Sequence, residues 1–309
     1  MTRAFCIPMK VPFRGLRERV GLLIEGPYGW GEFSPFADYS PERAAKGLGA
    51  ARESVNREWP PAARKSIPVN AIVPASSAVD AHALTTESGC TTVKVKVGDE
   101  DDEARVEAVR DALGPSGRIR VDANGAWDVD TATQKIRVLA RFDLEYVEQP
   151  VATLEDMALL RRRVDVPLAV DESIRLADDP GRVAALGIAD LVVLKVHPLG
   201  GVWACLQLAE ELRLPVVVSS ALETSVGLAA GLALAAALPD LPYACGLATA
   251  TLFEGDVVAD PLVPVSGIIE VRRPRVTEDA LSVYEMSDER SAMLRDRLQV
   301  AEDLLGARR

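Results

Sequence analysis

Lys94 and Lys96 stand two residues apart in the β-branched run "TTVKVKVGDE". In an extended chain successive side chains alternate faces, so both amines emerge on one side and Val93, Val95 and Val97 on the other. Acidic residues end three further β-rich runs, Asp122 in "RIRVDANG", Glu148 in "LEYVEQP" and Asp171 in "PLAVDES", and a third lysine, Lys195, ends "LVVLKVHP". Three carboxylates converging on one point repel strongly unless a cation sits among them. With no His or Cys in the set, the expected ion is hard: Mg²⁺, with Mn²⁺ able to substitute. Lys96 and Lys195 would then face a metal-held ligand from two directions. Lysine is normally protonated, with a reference pKa of about 10.4. A neighbouring cation, Lys94 or the metal, favours the neutral base. A lysine beside the α-carbon of a metal-held carboxylate suits α-proton abstraction, with charge flowing into an enediolate.

Each motif also has an ordinary reading. The lysines suit an edge strand, Asn124-Gly125 a turn, Glu148 before Gln149-Pro150 a strand end, and Asp171 to Ser173 a helix cap. Turn chemistry alone does not place one carboxylate on each of three consecutive units with a lysine unit on either side. Asn124, Glu172, Ser219 and Ser220 add polar groups at the same strand ends. Only two histidines are present, which excludes a His cluster and argues against a Ser/His/Asp relay. His82 lies in the helix-like "DAHALTTESG" and reads as structural; His197 shares strand parity with Lys195, which leaves a site role open.

The elements that must position these groups recur. Eight β-rich segments run from "VNAIVPA" to a weaker "YACGLATA", their polar ends 23 to 27 residues apart. Helix-like stretches such as "EARVEAVRDALG", "LEDMALLRRRV" and "VWACLQLAEEL" separate them. Apolar strands alternating with helices imply a parallel sheet, and this number of units predicts an α/β chain with a (β/α)₈-type barrel over residues 69–261. A doubly wound open sheet is the alternative, but no GxGxxG follows the first strand. Residues 1–68 read as an α+β cap, with two strands around a Gly/Pro turn in "VGLLIEGPYGWGEFSPF" and a helix in "PERAAKGLGAARESV"; "EWPPAARKSIP" reads as a linker. Residues 262–309, with a strand in "SGIIEVRR" and a charged terminal helix, are expected to pack back on that cap.

The 309-residue chain has a net charge of −11, so nucleic acid and anionic membranes are poor partners and a small ligand is expected. Cys6, Cys90, Cys205 and Cys245 show no metal or disulfide spacing and read as reduced thiols. The N-terminus lacks the apolar core of a signal peptide, and "VGLAAGLALAAALP" is too short to span a bilayer, so a cytoplasmic protein, monomeric or a small homo-oligomer, is expected.

In this order and spacing, "KVKVG", "DANGAW", "EQP", "DES" and "LKV" resemble the enolase superfamily, in the branch with KxK on the second barrel strand; "GWGEFSPF" is similar to that family's capping domain. Abstraction by lysine with Mg²⁺ is an arrangement of enolase-superfamily sites. Within the branch, "GPYGWGEFSPFADY", "SSALETSVG" and the short length look most like the o-succinylbenzoate synthases of menaquinone biosynthesis. The resemblance implies a lyase that dehydrates 2-succinyl-6-hydroxy-2,4-cyclohexadiene-1-carboxylate to 2-succinylbenzoate. It implies Lys96 as the base, Lys195 as the stabilising cation with Lys94 beside them, and Asp122, Glu148 and Asp171 as Mg²⁺ ligands. Asn124, Ser219 and Ser220 would contact substrate, and a cap loop around Phe13 and Arg14 would close over its succinyl tail. One departure is Ala248 in "GLATATLF", where a second glycine is expected. N-acylamino acid racemisation, dipeptide epimerisation and muconate-type cycloisomerisation remain open on the same site, as does a non-catalytic barrel binding an anionic metabolite.

Overall fold

A computed structural model describes residues 1–176 and 180–307. The chain opens with an antiparallel sheet of β1 (Thr2–Phe13), β2 (Leu16–Gly26) and β3 (Gly29–Phe33). Arg14 and Gly15 join β1 to β2 at φ 53° and 74°. Two successive positive φ values give the tight turn whose twist matches paired strands, and the hairpin tip carries Phe13 and Arg14. Helix α1 (Pro41–Asn56), capped by the Ser40 side chain with Pro41 in its first turn, lies on this sheet. The approach is close: a Cβ on Gly31 would sit 2.4 Å from the Ala51 carbonyl oxygen. Only glycine fits at that crossing.

After residues 58–65, which form neither helix nor strand, β4 (Ser66–Pro68) leads into the barrel. Its staves are β5 (Ala71–Val73), β6 (Thr92–Lys96), β7 (Arg118–Asp122), β8 (Leu144–Glu148), β9 (Leu168–Val170), β10 (Leu191–Lys195) and β11 (Val216–Ser219). They pair in parallel and in sequence order. Between them run α2 (Ala78–Ser88), α3 (Asp102–Leu113), α4 (Val129–Leu139), α5 (Leu154–Leu160), the short α6 (Glu172–Arg175) and α7 (Gly181–Leu186), then α8 (Val196–Leu199) and α9 (Val202–Leu212). Helix α10 (Ser225–Ala237) is buried from Ser225 through Ala236, so the longest uncharged run of the sequence is a core helix. The eighth predicted strand is reduced to a bridge. Cys245 pairs with Val69 and Gly246 with Ser219, closing the seven-stranded sheet on itself through two backbone hydrogen bonds at each margin, among them Asn70 N–H to Cys245 O at 3.0 Å and Gly246 N–H to Val218 O at 2.8 Å.

The tail returns to the start of the chain. Strand β12 (Ile268–Glu270) pairs antiparallel with β4; α11 (Glu278–Tyr284) contacts β1; and α12 (Asp288–Gly306) lies along α1. Arg3 ties this together through Glu278 at 2.9 Å and Glu285 at 2.5 Å. The last two residues of the predicted tail lie outside the described residues. Cys90, Cys205 and Cys245 are buried, Cys6 is half-buried, and all four thiols are free. Among the described residues no helix is long and apolar enough to cross a membrane.

Candidate active site

Parallel staves all end at one rim, and the barrel cavity of about 550 Å³ opens there under the cap. Lys94, Lys96, Asp122, Asn124, Lys195, Ser219 and Ser220 line it from the barrel, Phe13 and Arg14 from the hairpin tip. Register explains the grouping: Lys96 pairs with Asp122, Asp122 with Glu148, and Lys195 with Ser219 across neighbouring staves. Glu148 and Asp171 are fully buried and lie beneath the cavity surface.

The amines differ in access, with 7% of the Lys94 side chain exposed, 12% of Lys195 and 19% of Lys96, so a ligand entering the cavity meets Lys96 most readily. Lys96 Nζ contacts Asp122 Oδ2 and Asn124 Oδ1, each at 2.6 Å, and sits 5.6 Å from the centre of the Phe13 ring. Lys94 Nζ donates to both Glu148 oxygens at 3.0 and 3.1 Å and lies 3.4 Å from Asp122. Lys195 Nζ donates to Asp171 Oδ2 at 2.6 Å. Asn124, at φ 47°, turns its backbone N–H to Asp122 Oδ1 at 3.0 Å and its side-chain amide to Glu172 Oε1 at 3.0 Å. Asn124 thus forms the turn and also lines the cavity.

Electrostatics separate the acids. Burial opposes ionisation of Asp122, but Lys96 and Lys94 outweigh it and hold the carboxyl below the usual carboxylate range. Burial also works against charge on Lys94, yet Glu148 and Asp122 keep it cationic. Glu148 goes the other way: burial first, then repulsion from Asp122, push it up to about 7. The negative charge around it is thus incompletely compensated by the lysines. Glu172 Oε2, on the residue after Asp171, is buried without a hydrogen-bond partner. Among the described residues no three acidic, His or Cys side chains form a ready-made ion cage, because ammonium and guanidinium groups hold the carboxylate oxygens as packed. An all-oxygen donor set, an acid destabilised by its like-charged neighbours and an orphaned carboxylate oxygen nevertheless suit a hard divalent cation.

Arg175 and Tyr39 complete the floor and were not among the predicted site residues. Arg175 is 3% exposed and donates through Nε to Asp171 Oδ1 at 3.0 Å and through its terminal nitrogens to Tyr39 Oη at 3.1 Å and Glu172 Oε1 at 2.5 Å. The i, i+4 spacing of Asp171 and Arg175 is the signal in the sequence that could have found it. Ser220 Oγ and Thr249 Oγ1 are 2.6 Å apart at the cavity wall, while Ser219 Oγ donates to the Gly246 carbonyl at 3.3 Å. Ala248, the departure noted above, is buried and does not line this cavity.

His197 does not face the mouth. The chain leaves extended geometry at Val196 and enters α8, so strand parity with Lys195 ends there. Its Nδ1–H donates to Glu223 Oε1 at 3.0 Å. Burial lowers its pKa, but Glu223 and then Glu32 outweigh that and hold it above the ordinary value. A raised folded pKa gives stability that is complete below about 6.5, the unfolded value, and is lost as pH rises through the folded one. The thermal midpoint is therefore expected to fall as pH rises above that value, and His197→Gln to lack this step in a pH-resolved melting series.

The enolase C-terminal domain-like family matches residues 77–275, and the enolase N-terminal domain-like family matches residues 4–55. An o-succinylbenzoate synthase of Thermobifida fusca (strain YX) is 59% identical over 289 residues, covering 92% of this chain and 91% of that protein. One from Mycolicibacterium smegmatis is 50% identical over 281 residues, covering 89% and 86%. Among solved structures, muconate lactonizing enzyme from Pseudomonas fluorescens, complexed with muconolactone, superposes with a TM-score of 0.80 at 20% identity, covering 92% of this chain and 98% of that one. N-succinyl Arg/Lys racemase from Bacillus cereus superposes at 0.78 with 21% identity, covering 93% and 97%. At such identities the structures speak for the fold alone, whereas the sequence relatives match over nearly their full length: the chain belongs to the enolase superfamily and, within it, to the o-succinylbenzoate synthases.

Proposed function

We propose that the site carries out the syn dehydration of 2-succinyl-6-hydroxy-2,4-cyclohexadiene-1-carboxylate to 2-succinylbenzoate, a step of menaquinone biosynthesis, with Mg²⁺ as cofactor. The observation that carries this reading is the placement of two amines, from β6 and β10, on one cavity with the three acid-bearing staves between them. Lys96, as the general base, takes the α-proton, and the C–H electron pair passes into the carboxylate as an enediolate. The pair then returns to expel the ring hydroxyl, which leaves as water with the proton that Lys96 carries, so the base is regenerated and the ring becomes aromatic. Lys195 stays protonated and stabilises the developing negative charge, with a cation–π contribution to the ring. Asn124 Oδ1 orients the Lys96 amine, and Phe13 shields it from water. Ser219 and Ser220 offer hydroxyls, and Arg14 a cation, to the polar substituents of the substrate. Asp122, Glu148 and Asp171 are the residues that would hold the Mg²⁺, which when bound supplies electrostatic stabilisation to carboxylate oxygens.

The test is the absorbance change of the cyclohexadiene on addition of purified protein with Mg²⁺, repeated after chelation. Turnover that disappears with chelator and returns with Mg²⁺ supports the reading; no turnover with Mg²⁺, or turnover indifferent to chelation, overturns it. Because Lys195 also reaches the cavity, a second activity, racemisation of N-succinylamino acids by exchange at both amines, is favoured over epimerase or cycloisomerase chemistry by the shared succinyl group. Solvent deuterium entering both enantiomers would establish it.

A further inference from the structure

The loop from β11 to α10 forms one wall of the cavity through Ser220, Ala221 and Leu222. Leu222 has φ 62°, a left-handed conformation that is strained for a non-glycine residue. Something has to hold it there. The groups that do so come largely from the cap. Arg19 on β2, 3% exposed, donates through Nε to the Leu222 carbonyl at 2.7 Å and through Nη2 to the Ala221 carbonyl at 3.2 Å. The same nitrogen donates to the Ser34 carbonyl and, at 3.0 Å, to Ser34 Oγ, while the guanidinium lies 4.7 Å from the centre of the Phe36 ring. Ser34 Oγ donates in turn to Glu32 Oε1 at 2.6 Å. Glu32 Oε2 then accepts the Thr224 N–H at 3.0 Å, the Thr224 hydroxyl at 2.6 Å and the Gly227 N–H at 3.2 Å. On the barrel side Glu223 accepts the Ala221 N–H at 2.8 Å.

The polarity of the grip is complementary: the cap's cation takes the carbonyls of the loop, and the cap's anion takes the N–H groups at the start of α10. No carboxylate lies within ion-pairing distance of Arg19 among the described residues, so its buried charge is met by oxygens of Ser34 and by backbone carbonyls of the wall. A buried guanidinium that joins two carbonyls of a strained loop to the Ser34 oxygens of the cap serves to fix that loop against the cap. We infer that Arg19, braced by Ser34 and Glu32, is a positioning residue that fixes the Ser220–Leu222 wall and thereby sets affinity for the substrate without touching it. This rests on the proposed function for the identity of the substrate; the wall itself is independent of it.

The test is Arg19→Lys, which keeps the charge but loses the fork that spans two carbonyls. KM for the cyclohexadiene is expected to rise about tenfold with kcat within about threefold, the loss of charged hydrogen bonds to the wall being felt in binding. Hydrogen–deuterium exchange of the 219–227 segment is expected to quicken about tenfold, with β1–β3 and the other staves unchanged. Either measurement unmoved overturns the inference, as does faster exchange throughout the molecule, which would mark a general structural role. If Arg19→Lys does not fold, Arg19→Gln, uncharged and shorter, is read by the same two measurements. If the wild-type protein fails to turn over the cyclohexadiene, the functional reading falls and the exchange experiment alone decides on Arg19.

Discussion

In Lys96→Ala, kcat for the dehydration is expected to fall by about 10³- to 10⁴-fold, at the upper end of what one general acid–base group supplies, because the same amine serves both halves of the elimination. The side chain is the most exposed of the three lysines and its partners, Asp122 and Asn124, keep other contacts, so the variant is expected to fold. Lys96→Arg separates two explanations of the loss. Arginine retains the cation but does not deprotonate at working pH, so it is expected to be as inactive as alanine if Lys96 is the base. Lys195→Arg, by contrast, preserves the cation assigned to that position and is expected to keep more activity than Lys195→Ala. Near-normal steady-state turnover in Lys96→Ala would transfer the proton chemistry to another group.

Glu148→Gln is expected to remove most Mg²⁺-dependent turnover, by about 10²-fold or more, and to remove the response of the folded protein to the ion. The reasoning starts from its neighbours. Glu148 is fully buried on the middle one of three acidic staves, and the charge of Asp122 makes its ionisation unfavourable even with Lys94 at 3.0 Å. A divalent cation relieves that repulsion and so stabilises the folded state, by an amount that grows with ion concentration over its dissociation constant. Wild-type protein is therefore expected to melt at higher temperature in millimolar Mg²⁺ than in chelator. In Glu148→Gln that difference is expected to shrink or vanish, although the variant in chelator melts lower than the wild type, because buried Lys94 has lost one of the two carboxylates that keep it cationic. An unchanged Mg²⁺-induced shift in the variant would remove Glu148 from the ligand set.

How much of this was legible in the residues themselves follows from where each contact is made. The alternation of β-branched runs and helix-like stretches marked the staves, and parallel topology sent their polar ends to one rim, so Lys94, Lys96, Asp122, Asn124 and Lys195 meet as their spacing required. Phe13 and Arg14 reach the same cavity, a placement that the family resemblance implied and that local turn geometry alone does not determine. Arg19 was not legible, since its carbonyl partners lie 202 and 203 positions away and depend on how the cap docks. Tyr39 was hidden for the same reason, meeting Arg175 across 136 positions. The question left open at His197 is decided by backbone geometry: parity holds only while the chain stays extended, and α8 begins immediately after Lys195, so His197 does not line the cavity. The weak eighth segment proved weak in fact: among the described residues only Cys245 and Gly246 bridge the barrel edges.

That two-residue seam bears on how the molecule is made. A nascent chain that has emerged only as far as β11 exposes unpaired peptide groups on both margins of its sheet, since the partners of Asn70 and Val218 are supplied at Cys245 and Gly246. The first lobe waits longer still, because α12 covers α1 and Glu285 anchors Arg3. With ribosomes adding roughly 5–20 residues per second, each chain spends seconds with raw margins showing. Aggregation is therefore most expected during those seconds, and truncation near the carboxyl end is expected to uncover α1 of the first lobe as well as to remove the last helix.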